Sequence, residues 1–113
     1  MFNGIKDFIQ RGRKGYTTSD LWSFDNWLSQ LIARGLREFK GNCHSYPGEG
    51  VTWKEWMQIL DEMIECFEEQ TRNIDNLLPD DRMEVYSQRI ATKREKLHRG
   101  FELLEKFYFD LWD

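Results

Sequence analysis

The sequence predicts an all-α fold: a three-helix bundle with a short N-terminal helical segment and a long C-terminal helix. Three observations carry this expectation. Apolar residues recur at i, i+3, i+4 spacing through three long stretches, the signature of helices buried along one side. Two of those stretches open on helix-capping patterns, and glycine and proline gather between them rather than within them. Eight Phe, five Trp and four Tyr in 113 residues supply more ring surface than a disordered chain carries, so a folded core is expected along most of the length. That length suits one domain spanning residues 1–113.

Residues 3–10 form the short segment, with Ile5, Phe8 and Ile9 on one face. Gly12 and Gly15, bracketing Arg13 and Lys14, weaken any continuation. The first long helix is expected to begin near Thr17–Ser19, where Thr17 and Asp20 make a weaker version of a capping box. Leu21, Leu28, Ile32, Leu36 and Phe39 then share a face, widened by Phe24 and Leu31 and edged by Trp22 and Trp27. Gly41 suits its C-terminal stop. Residues 41–51 hold three glycines and Pro47 and read as a loop.

The second helix has the strongest start signal. In Thr52-Trp-Lys-Glu55 the Thr hydroxyl accepts from the N3 amide and the Glu carboxylate accepts from the cap amide. Trp53, Met57, Leu60, Ile64 and Phe67 line one face, Trp56 and Met63 lie beside them, and Glu55, Glu62, Glu65 and Glu69 lie opposite. Cys66 projects toward the polar side. Ile74 and Leu78 continue the stripe, so the helix is expected to reach as far as Pro79. A third helix opens there with Asp80 and Asp81 and carries Met83, Tyr86, Ile90, Leu97, Phe101, Leu104, Tyr108 and Leu111 to the C-terminus. At about 1.5 Å per residue it outruns the first helix, so it either overhangs the bundle or bends near Gly100. The bundle is expected to be mostly antiparallel, with the N-terminal segment laid across it.

Several positions break the apolar pattern. Asp25 falls among Leu21, Leu28 and Ile32, where a carboxylate is costly unless paired. Lys93 does the same between Ile90 and Leu97, with its stem on the core and its ammonium snorkelling to water. Gly35 on the core face of the first helix, and Gly100 flanking that of the third, imply close helix approach.

Charge excludes some functions. The net charge is −4, with +3 over residues 1–40, −7 over residues 41–80 and balance beyond. An acidic chain whose basic cluster is limited to Arg11, Arg13 and Lys14 is not expected to bind nucleic acid directly. No apolar run approaches the length of a membrane span, and no signal peptide opens the chain, so neither a membrane nor a secretory route is expected. Cys43 beside His44 lacks the spacing of a zinc site, and adjacent residues seldom face each other as nucleophile and base. No metal, cofactor or catalytic residue is therefore expected, and a non-enzymatic binding protein is the expected class.

The candidate site is an aromatic pocket built from residues 13–28, the loop at 43–51 and the first turn of the second helix. Arg13, Tyr16, Trp22, Asp25, His44, Tyr46 and Trp56 are its candidate ligand-binding residues. Aromatic walls suit a planar ring, and a guanidinium at the rim suits a phosphate, so the ligand class is a small nucleotide-like molecule. Two other readings stand beside it. One is a protein–protein inhibitor using the acidic face of the second helix or the aromatic C-terminus, Phe107 to Trp112. The other is a homo-oligomeric virion or assembly component.

Gly15-Tyr16, Asp20-Leu21-Trp22, Asp25, Leu36-Arg-Glu-Phe-Lys40, Tyr46-Pro47-Gly48, Trp56 and Ile59-Leu-Asp-Glu-Met-Ile64 together resemble a group of small uncharacterised proteins from tailed-bacteriophage genomes. The resemblance covers residues 11–68. It implies a phage accessory protein made in the cytoplasm of a bacterial host, acting on a host protein or on a signal used in host defence. It transfers no catalytic residue.

Overall fold

The computed structural model describes residues 2–72 and 82–112, and the side chains of residues 4–72 and 83–112. These residues form four α-helices, α1 (Phe2–Lys14), α2 (Phe24–Asn42), α3 (Trp53–Glu69) and α4 (Arg82–Phe107), with 3₁₀ turns at Ser19–Ser23 and Tyr108–Asp110. The fold is all-α, a bundle of α2, α3 and α4 preceded by the short α1.

The bundle is antiparallel. Arg37 pairs with Glu68 while Lys40, further along α2, pairs with Asp61, earlier in α3. Likewise Glu62 meets Arg99 and Glu65 meets Lys96 on α4. The three helices lie in a row rather than a closed triangle. α3 packs against both neighbours, while no Cα atoms of α2 and α4 come within 8 Å of each other. The molecule is correspondingly flat, 48 × 43 × 19 Å.

The central position of α3 determines the core. Trp56, Leu60, Met63 and Phe67 are sealed from solvent, with Ala33 and Leu36 from α2 on one side and Leu103 and Phe107 from α4 on the other. A helix flanked on two sides buries more than one stripe, and this corrects the expectation for Cys66. It is buried because Gly100 of α4 lies directly over it. A Cβ on Gly100 would stand 2.9 Å from Cys66 Cβ and 3.1 Å from the Phe67 ring, so the expected close approach is present there. Gly35, by contrast, is exposed with no atom within 4 Å of a Cβ position, so the core-face expectation for it is overturned.

The start signals act as their chemistry requires. Thr52 and Glu55 form the complete capping box. Thr17 and Asp20 form its shorter analogue: the Thr17 amide donates to Asp20 Oδ2 (2.7 Å) and the Asp20 amide donates to Thr17 Oγ1 (3.1 Å). That pair opens a 3₁₀ turn, and α2 proper starts only at Phe24. α1 runs through Gly12 and stops at Gly15, whose φ of +82° and amide bond to the Arg11 carbonyl make a left-handed cap.

Two helices are shorter than their stripes suggested. α3 ends at Glu69, and Gln70, Thr71 and Arg72 turn away from the helix. The expected continuation through Ile74 and Leu78, and the start at Pro79, Asp80 and Asp81, lie outside the described residues. α4 passes straight through Gly100 and overhangs. Its Lys93 stands at the C-terminal end of α3, so the turns from Arg82 to Thr92 extend beyond α3. Lys93 does not send its ammonium to open water as expected. It donates to the carbonyl of Glu69, which also accepts from the Arg72 amide in the turn that ends α3, and to the carbonyl of Arg72 just beyond. Partial burial depresses its pKa.

The apolar stripe expected to bury α4 meets the core along one edge only. Gly100, Leu103 and Phe107 are buried deepest, Leu97, Leu104 and Leu111 pack on the core half-buried, Phe101 meets Phe67 edge-on while remaining partly exposed, and Met83, Tyr86 and Tyr108 are exposed. Nor is α1 laid across the bundle. It approaches no other helix and is held through its C-terminal end, by Gln10 bonded to Thr18 and Arg11 beside Asp20.

Candidate functional site

The residues expected to form one pocket occupy three separate places. At the N-terminal end of α2, Tyr16 meets Trp27 edge-on (6.0 Å between ring centroids) and Phe24 stacks on Trp27 (5.5 Å). Trp22 stands clear of this group, 83% exposed, and Arg13 and Asp25 are exposed nearby in the chain. Asp25 sits in the first turn of α2, where a carboxylate suits the positive end of the dipole. It was expected within an apolar face. It is solvated because Arg37 already pairs with Glu68 at the end of α3, so α3 has stopped before reaching the level of Asp25.

His44 and Tyr46 follow the opposite end of α2. Seventeen residues of helix separate them from Asp25, a span of about 26 Å. There Tyr46 packs edge-on against Trp53 (6.2 Å), and Cys43 is buried with its thiol directed at the Lys40 carbonyl. The loop closes through a tight turn in which Glu49 (φ +52°) and Gly50 (φ +94°) both take left-handed conformations and the Val51 amide donates to the Gly48 carbonyl.

Trp56 is in neither group. Its indole is fully buried against Phe107 (5.5 Å between centroids), and Nε1 finds no acceptor among the described residues. It is a core residue, not a pocket wall. The seven candidates therefore do not converge: four lie near the start of α2, two beyond its end and one inside the bundle. An antiparallel helix carries its two flanking loops to opposite ends of the molecule, and this separates residues 13–28 from residues 43–51.

The acidic face of α3 is largely committed within the chain. Glu62 accepts from Arg99 (2.7 Å), Glu65 from Arg72 (2.9 Å) and Lys96 (3.2 Å), and Glu69 from Arg72. The Arg72 hydrogen bond holds the Glu65 carboxyl below its ordinary pKa, and burial raises that of the Cys66 thiol. Lys96 and Arg99 are the α4 residues that meet this face.

Among the described residues, three concave features bear on function. One is a polar cleft between α2 and the end of α3, lined by Gln30, Arg34, Arg37, Glu68, Thr71 and Arg72. The other two are apolar grooves on α4, one at Tyr86, Ser87, Ile90, Ala91 and Arg94, the other at Phe101, Leu104, Glu105, Tyr108 and Phe109. The sequence signal for the α4 grooves was present, since their residues belong to the stripe assigned to the core. Among the described residues no group of three or more His, Cys, Asp and Glu side chains is placed to hold a metal ion. Among them, too, no helix is long and apolar enough to cross a membrane.

The surface is the distinctive feature. Ile5, Phe8 and Ile9 make an exposed apolar stripe on α1, and Leu21, Trp22 and Phe24 are exposed just after it. Comparison with family models, curated proteins and solved structures returns no match.

Proposed function

We propose that this protein is a non-enzymatic binding protein that works by presenting helix α1 to an apolar groove on another protein. The observation that carries this reading is α1 itself. It is an amphipathic helix that packs against no other helix among the described residues, with Ile5, Phe8 and Ile9 exposed on its apolar face and Phe8 80% exposed. Anchors at i, i+3 and i+4 are the pattern by which a helix seats in a partner's groove. Arg11, Arg13 and Lys14 in its last turn select a groove rimmed by carboxylates. On the resemblance of residues 11–68 to small tailed-phage proteins, the setting of this contact is the cytoplasm of an infected bacterium and the partner a host protein.

A photo-crosslinking residue at position 8, expressed in the bacterial host, tests the reading. A discrete adduct with one protein is expected, lost on Ile9→Asp and weakened on Arg13→Glu. A crosslinker at exposed Lys54 should not give it. No adduct at position 8, or adducts only with lipid or with this chain itself, overturns the reading.

A further inference from the structure

The exposed stripe of α4 poses a question that the α1 contact does not answer. Tyr86, Ile90, Leu97, Phe101, Leu104 and Tyr108 fall on one flank of the helix, beside the side where Gly100, Leu103 and Phe107 meet α3; Leu97 and Leu104 rest partly on the core and Phe101 meets Phe67, while Tyr86, Phe101 and Tyr108 stay exposed. We propose that this stripe is a self-association surface, on which a second copy of the chain seats its own α4 in antiparallel orientation.

Two observations specify a second copy. The first is self-complementarity. The stripe carries one apolar groove toward each end, and a two-fold axis passing near Arg99 lays each groove over the other's residues. The C-terminal rings Tyr108 and Phe109 of one chain then meet Tyr86, Ile90 and Ala91 of the second copy, where Ser87 and Ala91 leave room for a ring. Leu97 meets Phe101 near the axis. This is the isologous arrangement of a two-fold interface.

The second observation is charge. Arg94 and Glu95 line the N-terminal groove and Glu105 the C-terminal one; Glu95 falls a further turn of about 100° round the helix from Arg94, away from the stripe, while Arg94 and Glu105 stand on the same flank of it. Eleven residues separate them, about 16 Å along the helix, too far to pair within one chain. Neither has an ion-pair partner among the described residues. The antiparallel pairing brings each Arg94 to the second copy's Glu105, twice per dimer, and reverses to like charges if the helices pair in parallel.

Sedimentation and light scattering of the full chain test the proposal. A species of twice the 13.7 kDa chain mass is expected at micromolar concentration. Tyr108→Asp changes a side chain that is 61% exposed in the single chain, so the variant keeps its helical circular dichroism and becomes monomeric. Arg94→Glu raises the dimer Kd at least tenfold, and the exchange Arg94→Glu with Glu105→Arg restores it. A wild-type chain monomeric at about 100 μM overturns the proposal, as does a dimer indifferent to Tyr108→Asp or an exchange that fails to restore association. Phe8→Asp leaves the dimer intact, so loss of the α1 contact and loss of the dimer are read separately.

Discussion

Two glycines in helices show how much a single hydrogen atom in place of a methyl decides. Glycine inside a helix costs about 1 kcal/mol relative to alanine when nothing else intervenes. At Gly35 nothing intervenes, because the position faces solvent with open space around it. Gly35→Ala is expected to stabilise the protein by about 0.5–1 kcal/mol. At Gly100 the methyl would press on Cys66 Cβ and the Phe67 ring, both held rigidly in the core. Overpacking costs about 1–3 kcal/mol, so Gly100→Ala is expected to lower stability despite its better helix propensity. Urea unfolding midpoints of the two variants, measured side by side, should move in opposite directions. The sequence placed both glycines near a core face and assigned both to close approach. Only the partner helix distinguishes them, and the first helix's own periodicity carries no information about where its neighbour ends.

At the scale of elements, α3 is held from both sides by a ladder of ion pairs and by a borrowed cap. Arg72 crosses back to Glu65 and Glu69, Lys96 and Arg99 reach over from α4, and Lys93 covers the carbonyls at the end of α3. These pairs are partly exposed, so each contributes modestly and more at low salt. Their pH dependence has a definite sign. The Glu65 carboxyl, held down first by its hydrogen bond from Arg72, has a folded pKa below the ordinary 4.5. Its contribution is therefore fully present above about pH 4.5 and is lost as pH falls through the folded value. The difference in unfolding free energy between wild type and Glu65→Gln should be constant from pH 7 to 5 and shrink below that. A difference that grows on acidification would contradict the ladder. Within these elements the capping boxes at Thr17–Asp20 and Thr52–Glu55 were legible in advance, because each is a local reaction between a side chain and the amides three residues away. The end of α3 was not. Ile74 and Leu78 prolong its stripe on paper, while the chain turns at Gln70, and periodicity alone carries no stop signal there.

The whole molecule is a flat row with few sealed residues and an unpacked helix. Its radius of gyration is 17.3 Å, against about 13 Å for a compact chain of this length. Because, among the described residues, α1 is held to the rest of the chain through Gln10 and Arg11 alone, it lies outside the cooperative unit. Deleting residues 1–9 is expected to change the melting temperature by no more than about 2 °C, a shift corresponding to a few tenths of a kcal/mol. The same deletion should abolish the crosslink at the α1 face. A large fall in melting temperature would mean that α1 packs on the bundle and is not displayed.

The sequence by itself determined the helices, their order, the capping pair at Thr17–Asp20, the capped start of α3 and the central stripe of α3. Each of these follows from interactions within four residues along the chain or from a helix flanked on two sides. The tertiary structure decided which of two stripes on α4 faces inward, why Asp25 and Gly35 are solvated and Cys66 is not, and that the seven residues of the expected pocket lie apart. Periodicity identifies the apolar faces of a helix but not the faces that meet another helix. An antiparallel row assigns those by where each neighbour begins and ends.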